Sequence, residues 1–171
     1  ADILISLEYG ADSKTREYVA EIRWPNGEKK ISENKEKLGV DKHFLACIEK
    51  ATIFEESLIL EDDFYLVNGF YEFLEYAKKF IRNKYRSAGV GLHHYEFMEG
   101  TGLPFMPLNN GNRTYLLQKV SSRGLYLTSD SAKLFNEWRA KYESAPYEIT
   151  APDYVNRWTD EVWESLFNKY L

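Results

Sequence analysis

The chain has 171 residues, 44% apolar and 29% charged, with a formal net charge of −5. That length is one domain in expectation and can bury a real core, and the negative balance without a basic patch argues against a nucleic-acid backbone as partner. The single cysteine, Cys47, excludes an internal disulfide and a zinc-cysteine cluster.

Ile3-Leu4-Ile5-Ser6-Leu7 is short, β-branched and apolar, and reads as a buried strand ending in the turn Glu8-Tyr9-Gly10-Ala11-Asp12-Ser13. A helix from about Lys14 to Ile22 is broken by Trp24-Pro25-Asn26-Gly27, and a short strand follows near Lys30-Ile31. A second helix starting near Val40 puts Phe44, Cys47, Ile48 and Ala51 on one face, with His43 on its surface or at its cap. The strand Leu58–Leu60 runs into Glu61-Asp62-Asp63. Helical spacing then continues from Val67 through Ile81, and Ala88–Leu92 is another buried strand. After the irregular stretch Pro104–Gly111, Tyr115-Leu116-Leu117 and Gly124–Thr128 read as strands. Asp130 is expected to cap a helix carrying Leu134, Phe135, Trp138 and Tyr142. Thr159 is expected to cap a last helix, Asp160–Tyr170. Strands alternating with helices imply an α/β protein with a mostly parallel, doubly wound sheet.

No apolar run approaches the roughly 20 residues that span a bilayer, and no basic-then-apolar leader is present. A soluble, cytoplasmic protein is therefore expected. The aromatic share, 16%, suits either a sugar- or nucleotide-binding surface or a packed core.

The acidic triplet has two readings. Three carboxylates at a strand end repel one another unless a positive charge sits among them, and hard oxygen donors suit Mg²⁺ or Mn²⁺. At the carboxyl edge of an α/β sheet such a cation would hold a phosphorylated ligand. Alternatively the acids simply favour the N-terminus of the next helix.

With these segments in order, the chain resembles nucleotide-sugar glycosyltransferases of the GT-A fold, in particular the family of the N-acetylglucosaminyltransferase that initiates complex N-glycans and its plant and microbial relatives. Four segments carry the likeness: Ile3 to Asp12, Lys37-Leu38-Gly39-Val40-Asp41-Lys42-His43, Leu60-Glu61-Asp62-Asp63, and Leu103-Pro104-Phe105 with Gln118 and Ser121-Ser122-Arg123-Gly124. The resemblance implies one domain over residues 1–171, a GT-A, mostly parallel sheet flanked by helices, with a smaller acceptor-side region. Relatives carry a further central strand before the segment that opens at Ala1 and continue beyond Leu171, so a shortened domain is expected. Arg123 stands where relatives have a tryptophan, which leaves the acceptor open.

The implied activity is metal-dependent transfer of a sugar, with inversion, from a nucleotide-diphosphate donor to an acceptor hydroxyl on a glycan or other molecule. Asp63 is then the direct ligand of Mn²⁺ or Mg²⁺. Asp62 and Glu61 act through water or toward the donor, and Glu8 lies near the nucleoside. The general base comes from Asp153, Asp160 or Glu161, with Asp160 favoured. In eukaryotic relatives the location is the secretory pathway, behind an anchor. His93 and His94 read as structural, and Tyr95, Phe97, Phe105 and Tyr126 as packing groups or sugar platforms. Lys35, Lys37 and Arg123 read as solvated loop cations or phosphate contacts. A non-catalytic nucleotide-sugar or carbohydrate-binding relative is the alternative. A phosphotransferase lacks its phosphate-cradling glycine-rich loop here.

Overall fold

The computed structural model describes residues 1–84, 87–98, 101–112, 114–121, 123–147, 149, 155 and 159–171. The chain divides into two compact units, Ala1–Cys47 and Ile48–Leu171.

In the first unit, β1 (Ile3–Leu7) and β2 (Lys29–Glu33) pair in parallel, Ile3 opposite Lys29 and Leu7 opposite Glu33, with α1 (Ser13–Glu21) between them in sequence. The first unit is thus a β-α-β crossover, as the alternating pattern predicts. Both ends of α1 are satisfied by side chains. Asp12 is its N-cap, and its carboxylate accepts the Thr15 N–H and hydroxyl, each at 2.9 Å. The Lys29 ammonium donates to the carbonyls of Val19, Ala20 and Ile22, which an α-helix leaves orphaned at its C-terminal end. Arg16 grips Glu33 through two bonds, of 2.6 and 3.1 Å, and so ties α1 to the end of β2. Helix α2 (Gly39–Ala51) begins in this unit and runs across the boundary between the two.

The second unit holds β3 (Glu56–Ile59), α3 (Phe70–Lys84), β4 (Val90–Gly91), β5 (Leu125–Thr128), α4 (Ser129–Ser144) and α5 (Trp163–Tyr170). Its sheet order is β3-β5-β4, and β5 runs antiparallel to both neighbours. The mostly parallel sheet expected from the sequence is therefore corrected here: the α/β class stands, but this sheet is built from antiparallel neighbours. Leu74, Ala77, Val90 and Tyr126 form a buried cluster, with Leu58, Phe73, Ile81 and Leu92 packed against it. That arrangement follows from α3, whose apolar residues recur at three- and four-residue spacing along one face. Gly89 permits β4 to approach β5 closely, since a Cβ there would come within 2.4 Å of the Tyr126 carbonyl. Around α4 and α5 the core is aromatic: the Phe135 and Phe167 rings are 4.6 Å apart, and Trp138 stacks on Tyr142.

Several local expectations change: the helix expected from Val67 starts at Phe70, and the strand expected over Ala88–Leu92 is Val90–Gly91. Tyr115-Leu116-Leu117 forms no strand, and Leu116 and Leu117 are exposed. Thr128, not Asp130, caps α4, its hydroxyl accepting the Ser131 N–H. The last helix starts at Trp163 with Val162 as N-cap and no side-chain cap bond, because residues 159–162 turn first. Among the described residues no helix is long and apolar enough to cross a membrane.

Candidate functional site

Strand β3 ends at Ile59, and the chain then leaves the sheet. Glu61 is half-buried, while Asp62 and Asp63 sit exposed in a turn. Helix α3 starts only at Phe70, and the acid in its first turn is Glu72. The triplet therefore lies ahead of that helix's first turn. Among the described residues, no group of three or more His, Cys, Asp or Glu side chains is gathered to hold a metal ion. The donor chemistry itself suits a hard, hydrated cation, for which one or two exposed carboxylates suffice.

Glu8 lies in the first unit, just past β1, and is fully engaged with backbone. Its Oε1 accepts the N–H of Tyr9 (2.9 Å) and Leu38 (3.0 Å), and its Oε2 accepts the N–H of Gly39 (2.9 Å). His43 Nδ1 stands 3.8 Å from Oε2, and the other ring nitrogen shares a 2.8 Å hydrogen bond with Ser6 Oγ. The Leu38 N–H, against an opposing cost of burial, and then Tyr9, Gly39 and His43 hold the Glu8 carboxyl below the usual carboxylate range. Sequence reasoning singled out Glu8 but left His43 as a surface or capping residue. Ser6 and Glu8 are two apart along a strand direction, so they share a face. That alternation was the available signal for a third polar partner.

Asp160 lies in the turn before α5. Its carboxylate accepts the Tyr142 hydroxyl at 3.2 Å and forms an ion pair with Lys169. Burial works against the Lys169 ammonium, but the bond and charge of Asp160 outweigh it and raise its pKa. Glu161 is exposed in the same turn. Asp153, Ser122 and residues 156–158 lie outside the described residues.

Beyond β4, the Tyr95 hydroxyl donates to the Val120 carbonyl at 2.7 Å, and the Val120 N–H donates to the buried Asn168 Oδ1 at 2.7 Å. His93 packs edge-on against Tyr95, whereas His94 faces Phe105 and Tyr115. Burial first, then the charge of Arg123, pushes the His93 pKa down. Of the expected ring platforms, Tyr126 is buried in the core and Phe97 is exposed. A cavity of about 430 Å³ is lined by Gly69, Glu72, Phe73, Tyr76 and Gly111, at the start of α3.

No protein-family model matches this chain, and neither the curated proteins nor the solved structures contain a significant match to it.

Proposed function

We propose that the chain carries a metal-dependent, inverting glycosyl transfer from a nucleotide-diphosphate sugar to an acceptor hydroxyl. The observation that carries this reading is the delivery of Glu61-Asp62-Asp63 by the end of β3 into a turn, with Asp62 and Asp63 open to solvent and ahead of the first turn of α3. In that reading the acceptor oxygen attacks the anomeric carbon as its bond to the diphosphate oxygen breaks. The electron pair leaves on the diphosphate and the acceptor proton passes to a carboxylate. A bound Mn²⁺ or Mg²⁺ supplies Lewis-acid stabilisation of the departing diphosphate. Asp63 would hold it directly, while Asp62 and Glu61 orient waters or the donor's hydroxyls.

Glu8 supports a smaller role than a bare acid would. A carboxylate has about four lone-pair sites, and three backbone N–H groups already use this one. What the described residues show for it is therefore the anchoring of the start of α2. Asp160, the carboxylate favoured as base, is held in an ion pair with Lys169 and accepts the Tyr142 hydroxyl. That ion pair favours the second reading, a binding module of the same shape that holds nucleotide-sugar or carbohydrate without turning it over. Donor hydrolysis in the presence of Mn²⁺ separates the two: release of free sugar supports the enzyme, and binding without release supports the module.

A further inference from the structure

Three basic side chains converge where β4 runs out. The antiparallel register sets Val90 opposite Tyr126 and Gly91 opposite Leu125, and the Leu92 N–H carries it one step further by donating to the Gly124 carbonyl at 2.9 Å. The next pair along is His93 and Arg123. Gly124 permits the close approach: its φ is +81°, and a Cβ there would come within 2.9 Å of the Leu92 side chain. Ser121 Oγ accepts the Arg123 N–H at 3.2 Å and fixes the turn that presents it.

Tyr95 brings Lys119 to the same place. Its hydroxyl donates at 2.7 Å to the carbonyl of Val120, the residue after Lys119. The Lys119 ammonium stands 4.5 Å from the Tyr95 ring centroid, and the His93 ring meets that same ring edge-on at 5.3 Å between centroids. His93 and Lys119 are half-buried and Arg123 is exposed, so solvent reaches the group from the Arg123 side.

Two permanent positive charges and one protonatable imidazole thus share a small region of a chain whose net charge is −5. The crowding is felt at His93. Burial first, then Arg123, with His94 and Lys119 acting the same way, holds its pKa down, while Glu96 pulls the other way with less effect than Arg123. An anion among these groups would relieve the repulsion, which a neutral or cationic ligand would not. The guanidinium offers a planar fork of donors and the ammonium a compact one, both suited to oxyanions. Three donor groups on separate stretches of chain favour an anion with at least three oxygens, which a carboxylate lacks.

We propose that His93, Lys119 and Arg123 form a binding site for a tetrahedral oxyanion, the phosphate or sulfate group of a ligand. The site does not rest on the glycosyl-transfer reading and uses none of the carboxylates assigned there.

The test is a ¹H–¹⁵N NMR titration of the whole chain at constant ionic strength, without nucleotide or Mn²⁺. Sodium sulfate should give saturable shifts at the amides of His93, Lys119 and Arg123, with Kd in the millimolar range, and acetate should bind at least about threefold more weakly. Arg123→Gln and, separately, Lys119→Gln should each weaken sulfate by about threefold to tenfold, while Lys35→Gln, in the first unit, leaves it unchanged. An oxyanion bound there lifts the His93 pKa, so binding takes up a proton. Sulfate keeps its charge across the imidazole range, and its affinity should rise about threefold from roughly pH 8 to roughly pH 6, an effect that His93→Gln removes. Methyl phosphate and methyl sulfate then separate the two sources, the tighter one naming the ester. No saturation by sulfate, acetate binding as tightly as sulfate, or undiminished affinity in both Arg123→Gln and Lys119→Gln would overturn the site. A flat pH profile in the parent would overturn the part given to His93.

Discussion

Glu8 Oε2 accepts the N–H of Gly39 at 2.9 Å, and Gly39 sits at φ +76°, the first residue of α2. The carboxylate thus captures backbone donors at a helix start 31 residues away in sequence. The Leu38 N–H reaches the same side chain, and Gly39 then turns the chain into the helix with a left-handed backbone. Gly39→Ala should cost about 1–2 kcal/mol, the penalty of a Cβ in that conformation, since no neighbouring atom would obstruct the new methyl. Urea unfolding followed by circular dichroism checks it, and a midpoint equal to that of the parent chain refutes it.

The same carboxylate makes stability depend on acid. Its folded-state pKa is lowered, chiefly by the Leu38 N–H, so its contribution is present above the unfolded value of 4.5 and is lost as pH falls through the lower folded value. Glu8→Gln should therefore flatten the loss of stability below about pH 4.5 relative to the parent. Unfolding midpoints measured from pH 7 down to 3 provide the comparison. Parallel curves for the two proteins would assign the acid sensitivity elsewhere.

Lys78 is the corresponding cation of the second unit. Its ammonium donates to Glu56 at 2.5 Å and to Glu75 at 2.8 Å, and stands 5.4 Å from the Tyr126 ring centroid. Burial opposes the charge, but the two carboxylates outweigh it and raise the pKa, so this stabilisation holds below the unfolded value of 10.5 and fades only as pH rises through the folded one. Lys78→Ala strips Glu56 of a charged partner at the start of β3 and should cost about 1–3 kcal/mol. Lys78→Met, which keeps the stem, should cost less. Chemical denaturation of the pair measures both, and equal losses would rule out the packing part of the argument.

Asp160→Asn should abolish transfer while leaving donor affinity within about twofold, because a carboxamide keeps the shape and the Tyr142 bond but takes up no proton. Product formation and calorimetric donor titration are the two readouts. Equal turnover in the two proteins would move the base to another carboxylate.

Much of the local structure is legible in the residues. The β-branched run Ile3–Leu7 and the helix after Asp12 are placed within a residue or two by apolar spacing and a capping acid. The strand expected at Leu58–Leu60 is found at Glu56–Ile59, ending one residue before Leu60. Strand direction is not encoded in that way. β5 is four residues with every side chain at least half-buried, and nothing in Leu125-Tyr126-Leu127-Thr128 says that it runs against both neighbours. Tyr115-Leu116-Leu117 has strand composition, yet Tyr115 packs locally against Phe105 and His94 and the two leucines face solvent. At the candidate site, the acids announce themselves, but their partners do not. Glu8 meets Leu38 and Gly39 across 30 and 31 residues, and Asp160 meets Tyr142 across 18 and Lys169 across 9, separations that no residue pattern announces.

The central claim is that the carboxylates beyond β3 hold a divalent ion against a diphosphate. Isothermal titration of nucleotide-sugars into the parent chain and into Asp63→Ala, each with and without Mn²⁺, tests it directly. The expected result is tenfold or more tighter binding in the presence of metal for the parent, a difference of at least about 1.4 kcal/mol, and no metal dependence in the variant with an unchanged circular dichroism spectrum. Metal-independent binding by the parent, or the same metal enhancement in Asp63→Ala, would contradict it.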